Sequence, residues 1–169
     1  MGTLTKQLAR ACDLTVIACS DFRHSIDAAL LTRLQTVFGP HVTYDLISVP
    51  GACHRLVRQS PVHREIMLAD LDMLVDLHQP ETIVIVQHEE CGRYQDVLTS
   101  VDRIQEQRIL SDDIQVSEQI LRQRFPNLTV LGFIARMDGQ HLYDLDKVWN
   151  GGAVGNPEPP ATTRVRSGH

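Results

Sequence analysis

The sequence has no long apolar run. Its uncharged apolar stretches, such as residues 82–86, are far too short to span a bilayer, which takes about 20 residues. Lys6 and Arg10 interrupt the N-terminus and no long apolar core follows them, so we expect no signal peptide and a cytoplasmic location. A membrane partner is not expected.

A surplus of positive charge is also missing. The formal net charge is −5 at pH 7 and the sequence pI is about 5.9. Proteins that bind nucleic acid usually carry a basic patch against the phosphates, so this balance argues against a nucleic-acid partner. Apolar residues make up 43% of the chain and charged residues 22%, which is ordinary for a soluble globular protein.

Cysteine is scarce, with four residues at Cys12, Cys19, Cys53 and Cys91. In a reducing cytoplasm these thiols would not form a disulfide framework, so metal binding or catalysis is the better prediction. A glycine loop for phosphate is missing as well. Residues 151–155 resemble one superficially, but they lie in a Pro-rich stretch with no helix predicted after it.

Short apolar runs alternate with amphipathic stretches along the 169 residues. Strands are predicted at residues 14–18, 42–47, 82–86, 128–134 and 141–145, the last as a short edge strand. Helices are predicted at about 25–38, 61–78 and 94–124, with a break near 111–113 where Ser111 or Asp112 would cap a second helix.

This alternation predicts a single α/β domain with a mainly parallel central sheet of four or five strands, flanked by helices. We assign the domain to residues 1–148, including a helical arm at about 3–12. Residues 149–169 are rich in Gly and Pro and are interpreted as a C-terminal tail.

Three segments with polar or reactive side chains follow directly on predicted strands, at residues 19–23, 48–52 and 88–92. The carboxyl ends of parallel strands meet at one edge of a sheet, which is where ligands collect in such folds. We therefore expect the three segments to form one composite site, although they are far apart in the sequence.

The first and third segments contain ligands for a soft divalent metal. His88 and Cys91 are separated by two residues, so one turn can direct both side chains at one ion, and Gly92 permits close backbone approach. Cys19 would complete a set of two thiolates and one imidazole, the type of set that holds a catalytic zinc with an open fourth position. We predict one Zn²⁺ per chain, with a water made nucleophilic near neutral pH.

Asp21 has two possible roles in such a site. As a fourth ligand it would close the metal site. Paired instead with Arg23, it would stay ionised and accept a hydrogen bond from the nucleophile, because a neighbouring cation stabilises a carboxylate.

These residues resemble the β-class carbonic anhydrases, in a compact, divergent prokaryotic branch. That family has Cys-x-Asp-x-Arg after its first strand and His-x-x-Cys-Gly after a later one. The matching residues here are Cys19, Asp21, Arg23, His88, Cys91 and Gly92.

The resemblance implies zinc held by Cys19, His88 and Cys91, with Asp21 and Arg23 as the catalytic dyad. It also implies a carbonate dehydratase, a zinc lyase that hydrates CO₂ reversibly to bicarbonate through metal-bound hydroxide. A homodimer or dimer-based oligomer is the implied assembly.

The sequence departs from the family around the substrate. Ser48-Val49-Pro50-Gly51 stands where Arg-Asn-Ala-Gly is common, Phe22 stands where Ser is frequent, and Glu89-Glu90 is more acidic than usual. The candidate pocket residues are Phe22, Ser48, Val49, Pro50, Gly51, Ala52 and Gly92, and the candidate proton relays are His24, His54 and Tyr94.

This altered wall leaves two alternatives open beside CO₂ hydration. One is a related zinc hydrolase acting on carbonyl sulfide or carbon disulfide, since sulfur suits a less polar pocket. The other is a non-catalytic module that binds zinc or bicarbonate.

Overall fold

A computed structural model describes residues 11–99, 101–148 and 154–155. Its strands are β1 (Leu14–Ala18), β2 (Tyr44–Ser48), β3 (Thr82–His88), β4 (Thr129–Asp138), β5 (His141–Val148) and β6 (Val154–Gly155). Its α-helices are α1 (Ala29–Phe38), α2 (His54–Val57), α3 (Pro61–His78), α4 (Gln95–Leu98) and α5 (Arg103–Arg124).

The six strands form one sheet in the order β2-β1-β3-β4-β5-β6. The pairs β1–β2, β1–β3 and β3–β4 are parallel, whereas β5 and β6 are added antiparallel. The predicted α/β domain with a mainly parallel sheet is therefore confirmed. The expected count of four or five strands was one too low, and β5 is not the edge strand we predicted, because β6 pairs with its far side.

Both faces of the sheet are covered, which explains why the central strands are apolar throughout. All five residues of β1 are buried, and so are six of the seven in β3. On one face Ile17 and Ile85 pack into a core with Leu71 of α3 and Ile114 of α5. On the other, Val16, Val84 and Phe133 form a second core with Leu30 and Leu34 of α1.

Most of the predicted helices are found, with corrections at their ends. The prediction at 61–78 matches α3, which begins with Pro61 at a position that suits proline. The prediction at 25–38 begins too early, because Asp27 and Ala28 have positive φ angles of 50° and 53° and α1 starts only at Ala29.

The predicted break near residues 111–113 was wrong. Helix α5 runs unbroken through these positions, and the chain breaks before it, where Asp102 caps the helix in a capping box with Gln105. Neither predicted cap is one: Ser111 is a buried polar residue on the inner side of α5, and Asp112 is an exposed residue within the helix. Asp113, beside them, is also buried. Sequence alone does not distinguish a helix cap from a polar residue inside a helix, because Ser and Asp occur at both kinds of position.

The closeness of α5 to the sheet depends on one glycine. A Cβ at Gly132 of β4 would lie 2.0 Å from Cγ2 of Ile114.

None of the helices within the described ranges is long and apolar enough to cross a membrane. The predicted arm at 3–12 lies almost wholly outside the described residues, as does the tail at 149–169 apart from β6, so these boundaries stay predictions.

Candidate metal centre

The three segments singled out in the sequence meet at one edge of the sheet. Ala18, the last residue of β1, is in register with Ser48 at the end of β2 and with Val86 near the end of β3. Beyond the strands, the Ser20 amide donates to the Val49 carbonyl at 3.2 Å. The expected convergence at the carboxyl ends of the strands is thus present.

Cys19, His88 and Cys91 lie together at this edge. Their ligand atoms are all within 4.8 Å of one another, and the two sulfur atoms are 3.9 Å apart. All three side chains are buried. The Gly51 amide donates to the Cys19 sulfur at 3.2 Å, so the segment after β2 also contributes to the site.

The hydrogen bonding of His88 leaves its Nε2 free to act as a ligand atom. Nδ1 lies 2.7 Å from the carbonyl oxygen of Glu89, and because a carbonyl only accepts, this bond assigns the ring proton to Nδ1. Arg23 Nη2 is also near Nδ1, at 3.4 Å, but the shorter contact decides the tautomer. Nε2 is then a lone-pair donor, buried and without a hydrogen-bond partner among the described residues.

A hydrogen bond of 3.9 Å links the two sulfur atoms. The hydrogen bond from Cys91 lowers the pKa of Cys19 well below its ordinary value, while the same bond raises the pKa of Cys91. Ionisation is therefore favoured at Cys19, and a bound cation would stabilise a second thiolate at Cys91. A thiolate pair with a free imidazole nitrogen fits a zinc ion.

Asp21 is held by Arg23 rather than directed into the donor set. Arg23 donates from its backbone amide at 3.0 Å and from Nε at 2.9 Å to Oδ1, and from Nη2 at 2.9 Å to Oδ2. These bonds lower the pKa of the Asp21 carboxyl to about 2. Oδ2 is still only 3.8 Å from Nε2 of His88, so the carboxylate lies at the rim of the donor set.

Arg23 is itself fixed by groups that the sequence did not suggest. Its Nη1 donates to Oε2 of Glu90 at 3.2 Å and to the carbonyl of Gly139, in the β4–β5 turn, at 3.3 Å. Glu90 has a φ of +58°, and this strained turn brings His88 and Cys91 to the same side.

Glu89 anchors the same turn from within. Its carboxylate is buried and accepts hydrogen bonds from Arg103 at 3.0 and 2.9 Å and from Gln107 at 2.8 Å. Glu89 and Glu90, predicted as a departure from the family near the substrate, have separate roles. Glu89 attaches the turn between His88 and Cys91 to α5, and Glu90 holds Arg23. Nothing in the sequence pairs residue 89 with 103, because that contact exists only once α5 packs on β3 and β4.

A cleft of about 400 Å³ opens beside the donors. Its wall includes Asp21, Phe22, His24, Leu46 and Ser48 as well as Cys19. Among the other predicted pocket residues, Ala52 is fully buried and Val49 packs against the core. Pro50 faces a different cleft, with Arg55 and Arg93, and Gly92 has no described atom within 4 Å of where a Cβ would be.

The three predicted relay residues occupy different surroundings. His24 packs edge-on to His88 with ring centroids 5.3 Å apart, and burial lowers its pKa to about 4. His54 packs on Tyr94 at 4.9 Å, and burial lowers its pKa as well. The Tyr94 hydroxyl donates to Asp113 at 2.8 Å, and burial raises its pKa. Their part in proton transfer stays a prediction.

The fold is similar to that of solved β-carbonic anhydrases. Crystal structures of two tetrameric β-carbonic anhydrases from the filamentous ascomycete Sordaria macrospora include a chain that matches with a TM-score of 0.50. The match covers 76% of this chain and 77% of the fungal chain at 14% sequence identity, so it concerns the fold alone.

Two bacterial relatives are similar over most of their length. An uncharacterized protein of Rickettsia bellii is 30% identical over 136 residues, covering 76% of this chain and 80% of the relative. An uncharacterized protein of Rickettsia conorii is 27% identical over 137 residues, covering 77% and 72%. A family model described as "Putative carbonic anhydrase" matches residues 9–141. Because this match covers more than half of the chain, the chain belongs to that family.

Proposed function

We propose that this protein hydrates CO₂ reversibly to bicarbonate in a zinc-dependent reaction. The observation that carries the proposal is the convergence of Cys19, His88 and Cys91 beside an Asp21 carboxylate that Arg23 holds. The family assignment supports the reaction type, and the donors support the metal.

The donor set fits zinc on chemical grounds. Cys19, Cys91 and Nε2 of His88 would hold the ion, and the two thiolates would balance its charge. When bound, zinc supplies a Lewis acid that makes water nucleophilic near neutral pH. The Glu89 carbonyl supports this role, since it fixes the His88 tautomer that leaves Nε2 free.

Asp21 would orient the nucleophile and not ligate the metal. Its three hydrogen bonds from Arg23 keep it ionised and turned to one side, with Oδ2 near the donor set. From there Oδ2 can accept a hydrogen bond from the O–H of the attacking water, which directs an oxygen lone pair toward the carbon of CO₂.

The cleft beside the donors suits a small, weakly polar substrate. Phe22, Leu30 and Leu46 give it an apolar wall, while Ser48 and Asp21 supply polar atoms. A linear molecule such as CO₂ could approach along the apolar side, and the bicarbonate product would meet the polar side.

Metal analysis and stopped-flow CO₂ hydration on the same zinc-loaded sample test this proposal. We expect zinc bound through Cys19, His88 and Cys91 and a hydration rate well above buffer between pH 7 and 9. Bound zinc without CO₂ hydration would contradict the proposed enzyme activity and favour a non-catalytic binding module. Sulfide release from carbonyl sulfide, without CO₂ hydration, would instead favour the related hydrolase.

We further propose a homodimer or an assembly of dimers. Phe22 and Leu46, the latter on strand β2, are large apolar side chains that are 62% and 46% exposed, and the solved Sordaria relatives are tetrameric. Light scattering coupled to gel filtration should give a mass of at least twice 19.0 kDa. A monomer at micromolar concentration would contradict the assembly.

A further inference from the structure

A second group of metal-ligand side chains lies at the opposite end of the sheet. Cys12 precedes β1, Asp45 is the second residue of β2 and His78 is the last residue of α3. Their ligand atoms all lie within 4.8 Å of one another. Because β1 and β2 run parallel and Leu14 pairs with Tyr44 at their amino ends, this cluster and the first site are on opposite edges.

Asp45 connects the other two side chains. Its Oδ2 is 2.7 Å from Nδ1 of His78 and 3.4 Å from Sγ of Cys12. The side chains of His78 and Asp45 are 24% and 19% exposed, so an ion can reach them while much of the cluster is sheltered.

The backbone already holds the three segments together. The Cys12 amide donates to the His78 carbonyl at 3.1 Å, and the Asp13 and Leu14 amides both donate to the Thr43 carbonyl at 3.1 Å. The ligands therefore need only side-chain adjustments to meet an ion, and little ordering cost remains.

The charges around the cluster favour a cation. His78 ends α3, where the last carbonyls carry partial negative charge. Burial and Asp45 together raise the pKa of the Cys12 thiol, because a thiolate there would be sheltered from water and would face a carboxylate. A divalent ion would supply the balancing positive charge, whereas without an ion the Cys12 thiol donates to the Leu14 carbonyl at 3.1 Å.

We propose that Cys12, Asp45 and His78 form a second divalent-metal site for Zn²⁺ or a similar ion such as Co²⁺. The thiol loses its proton to solvent as the sulfur–metal bond forms, and thiolate and carboxylate balance the two positive charges. Water completes the coordination. In tetrahedral geometry with metal–ligand bonds of about 2.0–2.3 Å, ligand atoms stand roughly 3.3–3.8 Å apart, so Asp45 and His78 need to separate by about half an ångström. The bound ion links the starts of β1 and β2 to the end of α3.

The test measures metal stoichiometry on the full chain. Wild-type protein, stripped with a chelator and titrated with Co²⁺, should take up two equivalents, with thiolate-to-cobalt charge-transfer absorption from both sites. Cys12→Ser and His78→Gln should each take up one equivalent fewer than wild type. His63→Gln is the matched control, because His63 is an exposed histidine at the other end of α3, 2.8 Å from the Ser60 hydroxyl.

The double variant Cys19→Ser with Cys91→Ser separates this proposal from the proposed function. It should lose the first equivalent and keep the second, with absorption from a single thiolate. If the first site binds no metal, the proposed function fails. The second site would still be detected, because Cys12→Ser would bind less metal than wild type while His63→Gln would bind the same amount. Equal uptake by wild type, Cys12→Ser and His78→Gln would overturn the second site, whatever the first site does.

Discussion

Arg23 donates hydrogen bonds of 2.9 Å from Nε and Nη2 to the two carboxylate oxygens of Asp21. The pair is only two residues apart in sequence, and the Asp21 side chain also accepts from the Arg23 amide, so the geometry is local. What is not local is its place beside His88, which parallel pairing of β1 and β3 provides. A motif of two residues thereby becomes part of a three-segment site.

Asp21→Asn and Arg23→Ala should keep zinc and lose turnover. The amide cannot offer the same negative acceptor, and alanine releases the carboxylate, so we expect kcat/KM for CO₂ hydration to fall by about 100-fold or more. Zinc content is measured on the same samples, with Asp27→Asn, outside the Arg23 hydrogen bonds, as the control. Loss of metal in both variants would mean that Asp21 is a ligand.

The ionisation of Asp21 should appear in the pH dependence of stability. Its pKa is about 2 in the folded chain and near the ordinary 3.9 when unfolded. Because the folded value is the lower one, the stabilisation is full above about pH 5 and is lost as the pH falls from about 4 toward about 2.

Urea denaturation of the metal-free protein measures this effect. Asp21→Asn should lower the free energy of unfolding by about 1–2 kcal/mol at pH 7, a figure reduced for partial exposure to solvent. The difference in unfolding free energy between Asp21→Asn and wild type should become smaller between pH 4 and pH 3. If the difference in unfolding free energy between wild type and Asp21→Asn does not change with pH, the assigned ionisation of Asp21 is wrong.

Glu89→Ala should weaken the metal site without touching a ligand. It removes the buried acceptor of Arg103 and Gln107, so we expect a loss of about 1–3 kcal/mol in the free energy of unfolding. The turn that fixes His88 then loosens and zinc affinity falls, about 10-fold or more. Competition with a chromophoric chelator measures that affinity, and Glu90→Ala, whose side chain is largely exposed, should cost less stability. If the zinc affinity of Glu89→Ala is unchanged, Glu89 does not support metal binding through this turn.

Gly132→Ala should destabilise the fold through α5. Its new methyl group would overlap Ile114, and the helix or strand must shift, at a cost of about 1–3 kcal/mol. Adding Ile114→Ala should recover part of this loss by making room, whereas Gly92→Ala, which meets open space, should be nearly neutral for thermal unfolding. Equal melting temperatures for wild type and Gly132→Ala would rule out the close approach.

Local patterns were enough to predict most elements. Two predictions match the structure residue for residue: the apolar run at 14–18 is β1, and the amphipathic stretch that starts at Pro61 is α3. Both patterns depend only on side chains that are close together in the sequence. The helix break was misplaced because Ser111 and Asp112 are residue types that often cap helices, yet both lie inside α5, Ser111 buried and Asp112 exposed. Helix α2 was missed because four residues are too short to show a period.

The amino-acid sequence by itself determined the candidate ligand types, the Asp21–Arg23 pair and their positions at strand ends, because these depend on residue identity and short-range order. Only the tertiary structure decided that Gly51 donates to Cys19, that Glu89 reaches Arg103 and that Cys12 meets Asp45 and His78. Such contacts join segments whose separation along the chain carries no information about their distance. They arise when strand order and helix packing bring the segments together.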